Sequence, residues 1–273
     1  MAVSSRNQLG VGGSRKLSAL EAQLPESDYS LHGVQPLGYI ANGNCFGMPS
    51  HYLINDLGTR FILTAVTTTG SATNAVSAAT SALPPFVTLT TGTTQHDNLQ
   101  LQYASATTAG STSAAAHAPF IAKTGYNISF FARFQITTTV ANASVFMGLA
   151  GVDTTVFASS VPSTNDMIGF YKAAASTMVG YLVDDTAATS KALTVGGTSG
   201  WTPTISTWYD LGFTVVDRTS VIFYVNGEAT NQTTVTNIPD NDALLCPSIV
   251  VSAGTAAAAT LQVQAFSCFQ EAR

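Results

Sequence analysis

Ile128, Phe130, Ala132, Phe134 and Ile136 alternate along the chain with Ser129, Phe131, Arg133 and Gln135. A period of two puts the five apolar side chains on one face of a strand, and a helix would scatter them around its axis. Segments of the same kind recur. Val145–Leu149, Met167–Tyr171 and Val179–Val183 follow at the spacing expected of a sandwich. Trp208–Val216 then runs to a turn at Asp217–Ser220, and the chain returns as Val221–Val225. Asn226-Gly227 comes next and predicts a tight hairpin, because both residues tolerate positive φ. Ser248–Ser252 and Leu261–Phe269 supply the last strands.

Upstream, Phe61–Val66 is a candidate first strand, and Pro84-Pro85 bars a helix before Phe86–Leu89. Leu99–Tyr103 alternates strictly and predicts a half-buried strand. Residues 70–82 predict a Thr/Ser/Ala loop, and 104–118 are low-complexity, either a long loop or small-residue strands packed between subunits. Residues 1–30 carry little that could build a core and predict an arm that orders against a partner. Residues 31–60, rich in Gly, Pro and Asn, predict a loop-rich connection to a sandwich spanning 61–273.

Composition narrows the functional classes. Charged residues are 9% of the 273, against roughly 25% in an average globular protein. Thr, Ser and Ala fill the difference, which suits strands and leaves too little Lys and Glu for a helix-rich surface. The net charge is −5, and Arg15-Lys16 is the one adjacent basic pair, so no basic stripe exists for a nucleic-acid partner. No apolar run approaches the roughly 18 residues of a membrane span, so no membrane partner is expected. The first twenty residues contain no continuous apolar core of a secretory signal. Without such a signal, the Asn-x-Ser/Thr triplets at Asn127, Asn142 and Asn231 are not read as glycosylation sites. Cys45, Cys246 and Cys268 are odd in number and lack CxxC spacing, which predicts buried free thiols in a reducing compartment.

The stretch Trp208-Tyr209-Asp210-Leu211, followed by Val221-Ile222-Phe223-Tyr224-Val225-Asn226-Gly227-Glu228, resembles the concanavalin A-like, laminin-G-like superfamily. There a W-x-x-L strand and a V-x-F-Y-V-N-G strand lie side by side in a curved sheet. The resemblance covers about 125–273 and reaches back to about 61. It implies an all-β, two-sheet antiparallel jelly-roll sandwich, here with an extended N-terminal arm. The tail, Pro247 to Phe266, is similar to the closing strands of structural proteins of tailed bacteriophages. That likeness implies a virion protein made in the host cytoplasm, a head decoration or cement protein. Its implied partners are the major capsid protein and two further copies of itself, as a homotrimer. Arg6, Arg15 and Lys16 of the arm are then the residues to pair with an acidic capsid surface.

The same fold hosts lectins, hydrolases and inert scaffolds, so each class needs its own residues. A glycosidase of this fold carries closely spaced carboxylates. The glutamates here are Glu21, Glu26, Glu228 and Glu271, and Gln262 and Gln264 stand where many relatives place an acidic residue. His96-Asp97 could be half of a relay, yet no Gly-x-Ser-x-Gly accompanies it, and His32, His51 and His117 share no ligand spacing. The expectation is a protein that is not an enzyme and needs no cofactor. Asp240 and Asp242, and secondarily Asp184-Asp185, suit calcium as clustered oxygen ligands, or else simply make turns. Trp201, Trp208 and Tyr209 are either platforms for a sugar or strand-start packing residues. A carbohydrate-binding tail-fibre or adhesion module is therefore the alternative to capsid decoration.

Overall fold

The apolar positions of 128–136 all enter one core, and the residues between them face away from it. In the computed structural model, residues 39–40, 61–66, 73–77, 86–103, 120–153, 155–163, 165–234 and 237–272 are described. The first strands are β1 (Tyr39–Ile40), β2 (Phe61–Val66), β3 (Thr73–Ser77), β4 (Phe86–Thr90), β5 (Asn98–Tyr103) and β6 (Phe120–Ile121). Next come β7 (Tyr126–Ile136), a 3-10 turn at Val140–Asn142 and β8 (Ala143–Gly151). The middle of the chain forms β9 (Phe157–Ala158), β10 (Val161–Pro162), β11 (Met167–Lys172), β12 (Met178–Asp184) and β13 (Ala187–Ala192). The short β14 (Thr194–Val195) and β15 (Thr198–Ser199) lead to β16 (Tyr209–Val216), β17 (Ser220–Val225) and β18 (Glu228–Thr234). The chain closes with β19 (Leu244–Ala253) and β20 (Thr260–Ala272).

Two large antiparallel sheets result. One runs β18-β17-β16-β7-β20-β4-β3, with β1 also on β20, and is called sheet A below. Sheet B runs β13-β12-β11-β8-β19-β5-β2, with β6 also on β19. The last two strands sit in the middle of the two sheets, β20 between β7 and β4 and β19 between β8 and β5. This is a jelly-roll sandwich, whose closure waits on the C-terminal strands.

Between the sheets, Phe130 stacks on Phe213 within sheet A at 5.0 Å between ring centroids. Phe170 of sheet B meets Phe223 of sheet A edge-on at 5.3 Å, so the aromatic rings tie the two layers together. Asn226 and Gly227 have φ of 51° and 81°, the geometry that the hairpin signal calls for.

Three expectations change. Residues 70–82 contain a strand, β3, paired with β4; its Thr and Val residues suit a strand although Ser and Ala flank them. Tyr39–Ile40 adds a short strand to β20 inside the segment read as loop. Leu99–Tyr103 is not half-buried: Gln100 and Gln102, on the face away from the core, are 1% and 3% exposed. Residues 151–153 and 155–163, with the β9–β10 hairpin, lie over that outer face of sheet B. Val156 and Phe157 of the segment join Phe146, Met167 and Val183 in a second apolar cluster there. The segments 1–30 and 104–118 lie outside the described residues.

Candidate functional site

One end of sheet B opens into a cleft of about 480 Å³. Its polar wall is Asp153 beyond β8, Asn165 and Asp166 before β11, Asp185 and Thr186 between β12 and β13, and Asp242 before β19. Val152 and Leu244 give it an apolar edge, and Leu244 is 38% exposed. Strand pairing brings these residues together: Met167 pairs with Ala150, and Leu245 with Gly151.

The carboxylates build the local turns as well as lining the space. Asp153 accepts from the amide of Thr155 at 2.8 Å through one oxygen and from the Asn165 side-chain amide through the other. Asp166 accepts from the backbone amide of Asp185 at 2.8 Å. Asp240 accepts from the amide of Ala243 at 3.2 Å and closes the turn before β19. Burial raises the Asp166 carboxyl above its ordinary range, helped by the charges of Asp185, Asp240 and Asp184 and opposed by the Asp185 amide. Hydrogen bonding with Asp242 holds Asp240 low, and the same contact pushes Asp242 up. None of the lining residues is basic, so the cleft presents hydrogen-bond acceptors in an anionic field.

Of the calcium candidates, Asp242 lines this cleft, while Asp240 is not part of the lining and accepts from the Ala243 amide in the turn. Among the described residues no group of three His, Cys, Asp or Glu side chains is disposed to hold a metal ion. Asp153, Asn165 and Asp166 have no periodic signature in the sequence, and only Asp166 directly adjoins a predicted strand.

His96 Nδ1 lies 3.0 Å from Ser160 Oγ, so the His96-Asp97 pair does meet a hydroxyl. That hydroxyl is already engaged. It lies 2.6 Å from Ser252 Oγ and 3.2 Å from the Ala253 carbonyl oxygen, and Ser160 is 6% exposed. Ser159 and Ser160 have φ of 52° and 62° as the two turn residues of the β9–β10 hairpin. The arrangement pins the covering segment to sheet B.

The aromatic candidates separate. Trp201 packs against the main core and meets Tyr209 edge-on at 4.9 Å. Trp208 instead meets Phe86 edge-on at 5.9 Å on the outer side of sheet A. Cys246 and Cys268 are buried and not disulfide-bonded, and burial pushes the Cys246 thiol up to about 12. Arg6, Arg15, Lys16, Cys45, His32, His51 and His117 lie outside the described residues.

No protein-family model and no curated protein matches the chain. Solved structures similar to it include a protein of unknown function from Shewanella oneidensis MR-1, 13% identical with a TM-score of 0.48, over 77% of this chain and 78% of that one. Another is the Emp47p carbohydrate recognition domain, 11% identical with a TM-score of 0.48, over 78% of this chain and 98% of that one. A third is a carbohydrate esterase from the Shiga toxin-encoding bacteriophage phi24B, 16% identical with a TM-score of 0.45, over 88% and 99%. Function has to be read from this chain's own residues, since one fold carries many activities.

Proposed function

We propose that the chain is a non-catalytic binding module and that the acidic cleft of sheet B takes a saccharide. The lining of the cleft carries this reading. Asp153, Asp166, Asp185 and Asp242 are acceptors for sugar hydroxyls, which are strong donors to carboxylates. Asn165 and Thr186 add adaptable polar contacts, and Val152 and Leu244 offer an apolar surface for the C–H face of a ring. The volume, about 480 Å³, lies in the range of small-ligand sites. A glycan array probed with the full chain tests it. Specific signals that disappear in Asp242→Asn and Asp166→Asn support the reading, and silence across the array rejects it.

A second reading, a capsid decoration protein bound as a homotrimer to the major capsid protein, is favoured by a different surface. The outer face of sheet A carries Phe131, Thr214, Ile222 and Tyr224, half-buried and uncharged, around Gly212. Aromatic residues without charge are what the centre of a protein interface selects. The arm residues Arg6, Arg15 and Lys16 would add attachment points. Quantitative mass spectrometry of purified particles decides: copies in a simple ratio to the capsid protein support it, and absence from the particle removes it.

A further inference from the structure

In sheet A, β4 and β16 are separated by β20 and β7. Strands stand about 4.8 Å apart, so the backbones of β4 and β16 are roughly 14 Å from each other. Yet the rings of Phe86, which opens β4, and Trp208, which precedes β16, are 5.9 Å apart at 63°. Both side chains therefore lean inward over the intervening strands. They do so on the outer face, because their neighbours Val87 and Tyr209 pack on the core side.

A polar row lies in the span between them. Gln135 of β7 pairs with Gln262 of β20, and Arg133 with Ala265, where the register shifts after Val263. Gln264 is the extra residue at that shift and is 5% exposed, while Gln135 is 8% exposed. Some of these groups satisfy one another: the Gln135 amide donates to Gln262 Oε1 at 2.5 Å, and Gln262 donates to Thr88 Oγ1 at 3.4 Å. Within this row, Gln264 Nε2, Arg133 Nε and Asp210 Oδ1 are buried atoms without a hydrogen-bond partner among the described residues. Arg133 Nε and Asp210 Oδ1 stand 3.8 Å apart, close enough to attract and too far to hydrogen-bond. Asp210 is opposite Arg133 in the register, so the three residues occupy neighbouring positions on one face. Buried polar atoms are paired in native proteins as a rule; Gln264 is the enclosed exception here, while the Arg133 and Asp210 side chains beside it are 39% and 34% exposed.

We propose that this row is a second binding site, for a neutral pyranose residue of a glycan, clasped by Phe86 and Trp208. The proposal rests on the saccharide reading but uses residues distinct from the acidic cleft. Trp208 supplies a flat apolar surface for the C–H face of the ring. One sugar hydroxyl between Arg133 and Asp210 accepts from the guanidinium and donates to the carboxylate. A second oxygen takes the free amide hydrogen of Gln264. The ligand is neutral because Arg133 and Asp210 already balance, leaving no surplus charge for a carboxylate or phosphate. Entry requires the edge contact between the two rings to open.

The chain has two tryptophans, so labelling with 5-fluorotryptophan gives two 19F resonances, assigned by Trp201→Phe. The probes are the methyl glycosides of glucose, galactose, mannose and N-acetylglucosamine, titrated against the full chain. At least one should move the Trp208 resonance saturably and leave that of Trp201 in place. Arg133→Met and Gln264→Leu should each weaken that response about tenfold. Asp166→Asn should leave it unchanged. The milder Phe86→Leu, which keeps an apolar group at the clasp, should alter the Trp208 resonance before any sugar is added. No movement of Trp208 with any glycoside overturns the proposal, and so does a response indifferent to Arg133→Met. Glycoside binding abolished by Asp166→Asn without any Trp208 response would overturn this site and uphold the cleft. Absence of binding at either place would reject both.

Discussion

Lys172 Nζ donates to the carbonyl oxygen of Val140 at 2.6 Å, so a fully buried ammonium closes the 3-10 turn that joins the two sheets. The carbonyls of Ala143 and Ala173, each at 3.0 Å, complete its shell. Burial pulls the group down to about 8. The unfolded lysine keeps its proton to about 10.4, so between those values the unfolded chain binds the extra proton and folding stability rises with pH. Replacing Lys172 with Met should destabilise the protein by about 2–4 kcal/mol at neutral pH, because three acceptors lose a donor. The rise in stability between pH 8 and 10, up to about 1 kcal/mol per unit, should vanish in the variant. Urea unfolding across that interval checks both.

Gln100 and Gln102 use their side chains as another strand would use its backbone. Gln100 donates to the Asp153 carbonyl at 2.6 Å and accepts from the Val156 amide at 3.1 Å. Gln102 donates to the Gly151 carbonyl and accepts from the Asp153 amide, both at 3.0 Å. Replacing Gln100 with Leu orphans the buried Val156 amide and should remove about 2–3 kcal/mol. The loss should be local: proteolysis within 152–166 should accelerate well before the core opens. Equal sensitivity across the chain would refute this latch.

Much of the sandwich is legible from period alone. Where one face meets the core and the other meets solvent, as in β7, β16 and β17, the alternation marks the strand and its inward residues together. β13 and β18 carry no such mark, because Ala187–Ala192 and Glu228–Thr234 are edge strands with small or polar side chains. The covering segment, residues 151–153 and 155–163, is equally silent, since its fit depends on glutamines about 50 residues away. The cleft follows the same logic. Asp185 and Asp242 could be noticed as loop acids, but their meeting with Asp153 and Asp166 is a product of strand order.

Gly148 and Gly169 pair directly between β8 and β11 beneath the covering segment. A Cβ on Gly169 would fall 2.4 Å from the Met147 carbonyl oxygen and 3.0 Å from the Phe146 ring. Backbone atoms cannot give way there, so Gly169→Ala should destabilise by about 2–4 kcal/mol and separate the two central strands of sheet B. Gly197 supplies the comparison, having open space around it and φ of +79°. Gly197→Ala should cost only about 1 kcal/mol, from backbone strain alone. Thermal unfolding of the two variants side by side measures the difference.

Asp166 bears the electrostatic strain of the cleft. Its carboxyl is raised in the folded state by burial and by neighbouring carboxylates, so folding favours its protonated form. Between the unfolded and folded values the native state binds more protons, and stability falls as pH rises through that interval. Asp166→Asn keeps an acceptor for the Asp185 amide and removes the charge. At pH 7 the variant should be more stable than the parent, by less than about 1 kcal/mol given the exposure of the site. The advantage should shrink as pH falls below the ordinary carboxylate range, where the parent's charge is also gone. Denaturant midpoints at the two pH values measure it. A variant less stable at pH 7 would mean that the ionised carboxylate's bond to the Asp185 amide outweighs the repulsion around it.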